Sequence, residues 1–179
     1  MKFKQFFVFV AINAVLPISL AWPQTADDQP AASDTPGATI LYRNLKYGFC
    51  FVLPASWTGY TIVQKTWRGT PMNNSEKAQI SGPQLLIRNP KWTEDNPYQD
   101  IPIMIFTRAQ WKLAESDTYI FSAAPFGPGE VGRNHHYVFA QPPRWIGYAD
   151  AAGMDEVMKW KIGDRLQAPC GKSKAQPAH

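Results

Sequence analysis

Histidines are the side chains in this sequence best suited to acid–base or metal chemistry, and the chain has three: His135, His136 and His179. The alternating pattern of residues 133–140 predicts a strand, in which neighbouring side chains face opposite sides of the sheet. His135 and His136 are therefore not expected to bind one metal ion together. The HExxH, CxxC, GxSxG and P-loop patterns are missing, so no nucleophile is paired with a base at a recognisable spacing.

One catalytic hypothesis stays open. A secreted hydrolase or other small-molecule enzyme could assemble a dispersed site from His136, Glu130 and Arg133. The acidic residues between positions 94 and 100 fall in one predicted loop, but they lack the regular spacing of oxygen ligands in a calcium loop. We therefore predict no catalytic residue, no metal and no cofactor, with the dispersed enzyme site as the alternative.

The two cysteines, Cys50 and Cys170, could form a disulfide or supply a nucleophile. In an oxidising compartment an even pair favours a disulfide. A nucleophilic Cys50 would need an accessible thiol of low pKa near a histidine. Because Cys50 lies between Phe49 and Phe51 in a strand-like run, we predict the disulfide. In the chain-entropy model, closing a loop of about 120 residues stabilises a fold by about 4 to 5 kcal/mol.

Aromatic and proline-rich loops supply the remaining candidate site, because such loops on a rigid sheet commonly form binding surfaces. The alternative explanation is that Trp92 and Trp145 only cover the edge of the core. The predicted binding residues are Trp92, Tyr98, Phe126, Arg133, Arg144 and Trp145. The predicted ligand is an unidentified protein or small molecule.

The first 21 residues have the pattern of a secretory signal peptide. Two lysines precede an apolar run over residues 6–18, and residues 19–21 (SLA) offer small side chains at the cleavage positions. We expect the mature chain to begin near Trp22 and to be secreted or periplasmic. No later apolar stretch approaches the roughly 20 residues of a membrane span, so none is expected in the mature chain.

The charge balance argues against a nucleic-acid partner. The chain has 18 basic and 14 acidic residues, and removal of the two leader lysines leaves a net charge near +2. A nucleic-acid-binding domain usually carries a one-sided basic surface. The length after the leader suits one domain. We predict a disordered spacer over residues 22–38, a single domain over 39–170 and a flexible tail over 171–179.

Short alternating runs predict an antiparallel sheet. The expected strands cover residues 39–42, 47–53, 60–67, 84–88, 101–106 and 133–140. We expect the second and third strands to pair with each other, the fifth to be central, and residues 68–82 to form an exposed loop.

Two helices are predicted to flank this sheet. Thr107 and Gln110 fit a capping box, and Phe106 and Trp111 fit a hydrophobic staple, which together predict a helix from Arg108 to about residue 115. A second helix is predicted over residues 153–167. Its apolar face would contain Met154, Val157, Met158, Ile162 and Leu166. The predicted fold class is α+β, a mainly antiparallel sheet flanked by helices.

Residues 41–57 resemble the opening hairpin of the PsbP/Mog1-like family, in which a Tyr-Gly-Phe-x-Phe strand and a Pro-x-x-Trp turn recur. The matching residues are Gly48, Phe49, Phe51, Pro54 and Trp57. The resemblance implies an αβα sandwich that serves as a binding or assembly module, and it identifies no site. Proteins of one fold perform unrelated functions. We therefore expect a secreted, non-catalytic binding or accessory module of the cell envelope.

Overall fold

The computed structural model describes residues 38–72, 78–116, 118–145 and 151–171. The predicted leader lies outside the described residues, as does all but one residue each of the predicted spacer and tail. All described residues belong to one compact unit. Within them, no helix has the length and apolar character needed to cross a membrane.

The described residues form two antiparallel sheets, which confirms the predicted α+β class and its mainly antiparallel sheet. The strands are β1 (Thr39–Asn44), β2 (Phe49–Pro54), β3 (Thr61–Pro71), β4 (Ile80–Arg88), β5 (Ile101–Thr107), β6 (Tyr119–Ile120), β7 (Gly129–Arg133), β8 (Tyr137–Gln141) and β9 (Leu166–Gln167). The helices are α1 (Arg108–Glu115), α2 (Met154–Met158) and α3 (Ile162–Arg165). The small sheet has the order β1-β2-β9 and the large sheet the order β6-β3-β4-β5-β8-β7.

The main core lies between the two sheets. Alternate residues of β2 face it, as predicted, and they meet alternate residues of β4, β5 and β8. The short helices α2 and α3 close one side of this core with Val157 and Ile162. Its buried members are Phe49, Phe51, Leu53, Trp57, Leu85, Ile87, Ile101, Ile103, Ile105, Val131, Phe139, Val157, Ile162 and Leu166.

A second core lies on the opposite face of the large sheet, under α1. This helix has the predicted bounds. Its start is fixed by both halves of its capping box: Thr107 Oγ1 accepts from the Gln110 N–H, and Gln110 Oε1 accepts from the Thr107 N–H. The predicted staple also forms, with ring centroids of Phe106 and Trp111 5.3 Å apart. Strand β5 pairs on both sides and is central, as predicted.

Two predictions about β3 are wrong. Strands β2 and β3 belong to different sheets, because a 3-10 turn that buries Trp57 carries the chain from one sheet to the other. Residues 68–71 and 80–82 of the predicted loop are strand, and their polar side chains Arg68, Thr70 and Ser81 are exposed on β3 and β4. Residues 73–77 of that loop lie outside the described residues. Trp67 pairs with Gly82 across these strands. The Trp67 ring covers Gly82 so closely that a Cβ added at Gly82 would lie 2.5 Å from Trp67 Cζ2.

The segment predicted as one strand, residues 133–140, contains the end of β7, a turn and most of β8. Strand β7 ends at Arg133 and β8 begins at Tyr137, because Asn134 Oδ1 accepts the backbone N–H groups of His136 and Tyr137 and forms a turn. His135 and His136 therefore lie in the turn, where the strand argument against a shared ligand does not apply. Both side chains are exposed.

The predicted helix 153–167 is also wrong, since it divides into α2, α3 and β9. The chain bends at Trp160, whose ring packs on Trp57 with centroids 5.4 Å apart. Val157 is fully buried, as predicted, whereas Met158 is 58% exposed. The bend allows residues 166–167 to pair with β2 as its third strand.

The predicted disulfide between Cys50 and Cys170 is confirmed, with Cα atoms 4.9 Å apart. Cys50 is fully buried in β2, opposite Gln167 of β9. The bridge therefore fastens the end of the described chain to the small sheet.

The docking of α2 can be tested with two substitutions. Val157→Asp places an unpaired charge in the main core and should lower the free energy of unfolding by several kcal/mol. Lys159→Ala changes an exposed side chain and should have little effect. Chemical denaturation measures both, and equal losses would contradict the burial of this face.

Candidate functional site

The predicted binding residues do not form one site. Two of the loops that hold them, residues 89–100 and 142–145, lie at the same end of the large sheet, because β4 and β8 end where β5 begins. The loop between β6 and β7 crosses from one edge of the large sheet to the other. The end of β7 lies apart from both of these regions. The six residues are Trp92, Tyr98, Arg144 and Trp145 at the shared end, Phe126 in the crossing loop, and Arg133 at the end of β7.

Trp92 is held by an ion pair at the end of β4. The guanidinium of Arg88 lies over the Trp92 ring, 3.7 Å from its centroid. Arg88 also donates from Nε and Nη2 to both carboxylate oxygens of Asp100, at 3.1 and 2.9 Å. The Trp92 N–H donates to the Asn89 carbonyl at 3.0 Å. The tryptophan is thus positioned by both its ring and its backbone.

Tyr98 belongs to a structural clamp. Its hydroxyl donates to Glu156 Oε2 at 2.5 Å, and Trp57 Nε1 donates to Glu156 Oε1 at 3.2 Å. The Gln99 N–H donates to the Ala152 carbonyl at 2.8 Å. The Tyr98 and Gln99 bonds join the 89–100 loop to α2 and to the residues just before it. Tyr98 therefore stabilises the packing of this loop and does not serve as an exposed ligand contact.

Burial raises the pKa of Tyr98 from its usual 10.0 to about 12, and the hydrogen bond to Glu156 adds to this shift. The pKa in the folded state therefore lies above that in the unfolded chain. The stabilisation from the protonated hydroxyl is complete below about pH 10 and is lost as the pH rises toward 12.

Trp145 and Arg144 occupy different environments. Trp145 is half-buried and packs against the main core. Arg144 is exposed beside it. Trp145 therefore covers the edge of the core, the alternative that the sequence left open for this residue.

Phe126 lies in an apolar groove of about 430 Å³. Among the described residues, its lining contains no aspartate, glutamate, lysine, arginine or histidine. It includes three exposed apolar side chains: Phe126 at 63%, Ile120 at 46% and Met72 at 40%. The groove is lined by Met72, Tyr119, Ile120, Phe121, Ser122, Ala123, Ala124, Pro125, Phe126 and Gly127. The sequence did not identify Met72 and Ile120 as candidates. Pairing of β6 with the end of β3 brings these two residues together, and no local pattern predicts that pairing.

The residues of the alternative enzyme hypothesis surround the β7–β8 turn. Arg133 forms a two-bond ion pair with Glu130, which raises the pKa of the Arg133 guanidinium. The His135 and His136 rings meet edge to face, with centroids 4.8 Å apart. Among the described residues, no hydrogen bond joins His136 to Glu130, and no three His, Cys, Asp or Glu side chains are grouped to hold a metal. Glu130 is thus engaged by an arginine and not aligned as the partner of a histidine.

Residues 127–132 (GPGEVG) have the glycine spacing of a dinucleotide-binding turn. In that motif the glycines connect a strand to a helix N-terminus. Here they lead into β7, whose partner β8 is also a strand. The spacing therefore has no phosphate-binding context.

No model of a known protein family, no curated protein and no solved structure matches the chain. Its function is therefore inferred from the surfaces described above.

The clamp around Tyr98 can be tested with a pair of glycine substitutions. Gly153 has a φ of +75°, and a Cβ there would fall inside the Tyr98 ring. Gly153→Ala should therefore displace Tyr98 from Glu156 and lower the melting temperature by several degrees. Gly129→Ala is the matched control, because its Cβ would meet no atom within 4 Å. Equal melting temperatures for the two variants would contradict the clamp.

Proposed function

We propose that the protein is a secreted, non-catalytic binding or accessory module of the cell envelope, and that the apolar groove is its ligand-binding surface. The observation that carries this proposal is the lining of the groove, in which the described residues supply exposed apolar side chains and no charged ones. A hydrolytic site would need a histidine or carboxylate aligned with substrate.

The chemistry of the groove favours an uncharged, apolar ligand or ligand segment. Contiguous apolar surface on a soluble domain commonly marks an interaction site. Full burial of a side chain such as Phe126 is worth about 1.5 to 3 kcal/mol. A charged ligand would gain no ion pair from this lining and would lose hydration.

The groove is supported from below, which favours binding without a large entropic cost. Phe121 packs on Trp67 and Phe106, with centroids 5.8 and 5.7 Å apart. Tyr119 donates its hydroxyl to the Ala78 carbonyl at 3.1 Å. The Met72 N–H donates to the Thr118 carbonyl at 2.9 Å. These contacts fix the walls from which the exposed side chains project.

The compartment is inferred from two independent features. The disulfide fits an oxidising, extracytoplasmic environment. The leader-like pattern of residues 1–21 supports export, with cleavage near Trp22. Together they support a secreted or periplasmic location.

We also propose kinship with the PsbP/Mog1-like αβα sandwich. The support is the hairpin of residues 41–57, in which Phe49, Phe51 and Trp57 are fully buried. This kinship would place the chain in a fold used for binding and assembly, but it would not identify the ligand.

An uncharged fluorescent probe, N-phenyl-1-naphthylamine, tests the groove. The protein should enhance its fluorescence, and Phe126→Ser should weaken binding about tenfold, because a large apolar contact is lost. Leu45→Ser is the control: Leu45 is 91% exposed in the β1–β2 turn and lies outside the groove lining. Equal affinities for the two variants would contradict the proposal.

A further inference from the structure

Trp92 differs from every other tryptophan in the described part of the chain. Trp57, Trp67 and Trp111 are buried in a core, and Trp145 and Trp160 pack against the main core. Trp92 is half-buried and belongs to neither core. Core packing explains the positions of the other described tryptophans, but it does not explain the position of Trp92.

One face of the Trp92 ring is occupied. Arg88 covers that face at 3.7 Å, and Asp100, only 8% exposed, holds the guanidinium through two hydrogen bonds. Asn89 is 2% exposed and accepts the Lys91 N–H through its side chain and the Trp92 N–H through its carbonyl. A buried polar network thus presents a planar indole at the surface in one orientation.

The groups that follow Trp92 define the chemistry of a ligand. Residues 93–96 (TEDN) are exposed and offer hydroxyl, carboxylate and amide groups. Thr93 and Asn96 bond to each other through the backbone and the threonine hydroxyl, which shapes this turn beside the ring. The carboxylates of residues 94 and 95 outnumber the exposed Lys91, since Arg88 is paired with Asp100, so the local charge disfavours phosphate and other anions. Carboxylates also accept hydrogen bonds from hydroxyl groups.

We propose that Trp92 is a stacking platform for a hexopyranose ring of an uncharged glycan. The C–H groups on one face of a pyranose carry partial positive charge and rest on the negative face of an aromatic ring. The hydroxyl groups at the sugar rim then reach the polar side chains of residues 93–96. The site is separate from the apolar groove.

Titration with cellohexaose, an uncharged glucose oligomer, and chitohexaose, an uncharged N-acetylated one, tests the platform by NMR of the tryptophan Nε1–H signals. The Trp92 signal should shift with at least one oligomer. Trp92→Ala should weaken that binding about tenfold, and Trp92→Phe, which keeps an aromatic face, should weaken it less. Phe126→Ser, which alters only the groove, should leave it unchanged.

Three results would overturn the platform. The first is no response to either oligomer at millimolar concentration, and the second is equal binding by the native protein and a folded Trp92→Ala variant. Preferential binding of the anionic polymer polygalacturonate would also overturn it, because the carboxylates of residues 94 and 95 should repel that ligand. Since the groove is tested with a different probe and variant, failure here leaves the proposed function standing.

Discussion

Burial of the β2 side chains under the large sheet is the interaction on which the rest of the structure depends. Phe49, Phe51 and Leu53 are completely buried there, and each such side chain contributes about 1.5 to 3 kcal/mol before entropy is counted. The disulfide then ties β2 to the end of the described chain, so that β9 and the short helices stay on the same face.

Side chains from these short elements fix the loops of both sheets. Glu156 of α2 accepts hydrogen bonds from the β2–β3 turn and from the 89–100 loop. Asn134 donates its side-chain Nδ2 to the carbonyls of Tyr47 and Gly48, which joins the β7–β8 turn to the β1–β2 turn. Loops held in this way present surfaces in one conformation, and such preorganisation lowers the entropic cost of binding.

The sequence predicted those parts of the fold that depend on neighbouring residues. The capping box predicted the start of α1, and alternation predicted the buried face of β2. Local patterns do not indicate which strands pair across long separations, so β2 and β3 were wrongly predicted to be neighbours. The helix predicted over residues 153–167 failed for a similar reason, since packing of Trp160 on Trp57, about a hundred residues away, bends the chain.

The candidate site was predicted only in part, for the same physical reason. Trp92 and Phe126 were identified as surface aromatics from loop composition. Tyr98 and Trp145 have that composition too, but tertiary contacts bring them into the fold. The apolar groove depends on β6 pairing with the end of β3, which brings Ile120 near Met72. No local pattern in the sequence encodes that juxtaposition.

The proposed function is binding of an envelope component through the groove rather than at the β7–β8 turn. Photo-crosslinking in cells that export the full chain tests it most directly, with Phe126→p-benzoylphenylalanine compared against His136→p-benzoylphenylalanine. We expect a discrete adduct from position 126 and none from position 136. An adduct from position 136, with none from position 126, would contradict it.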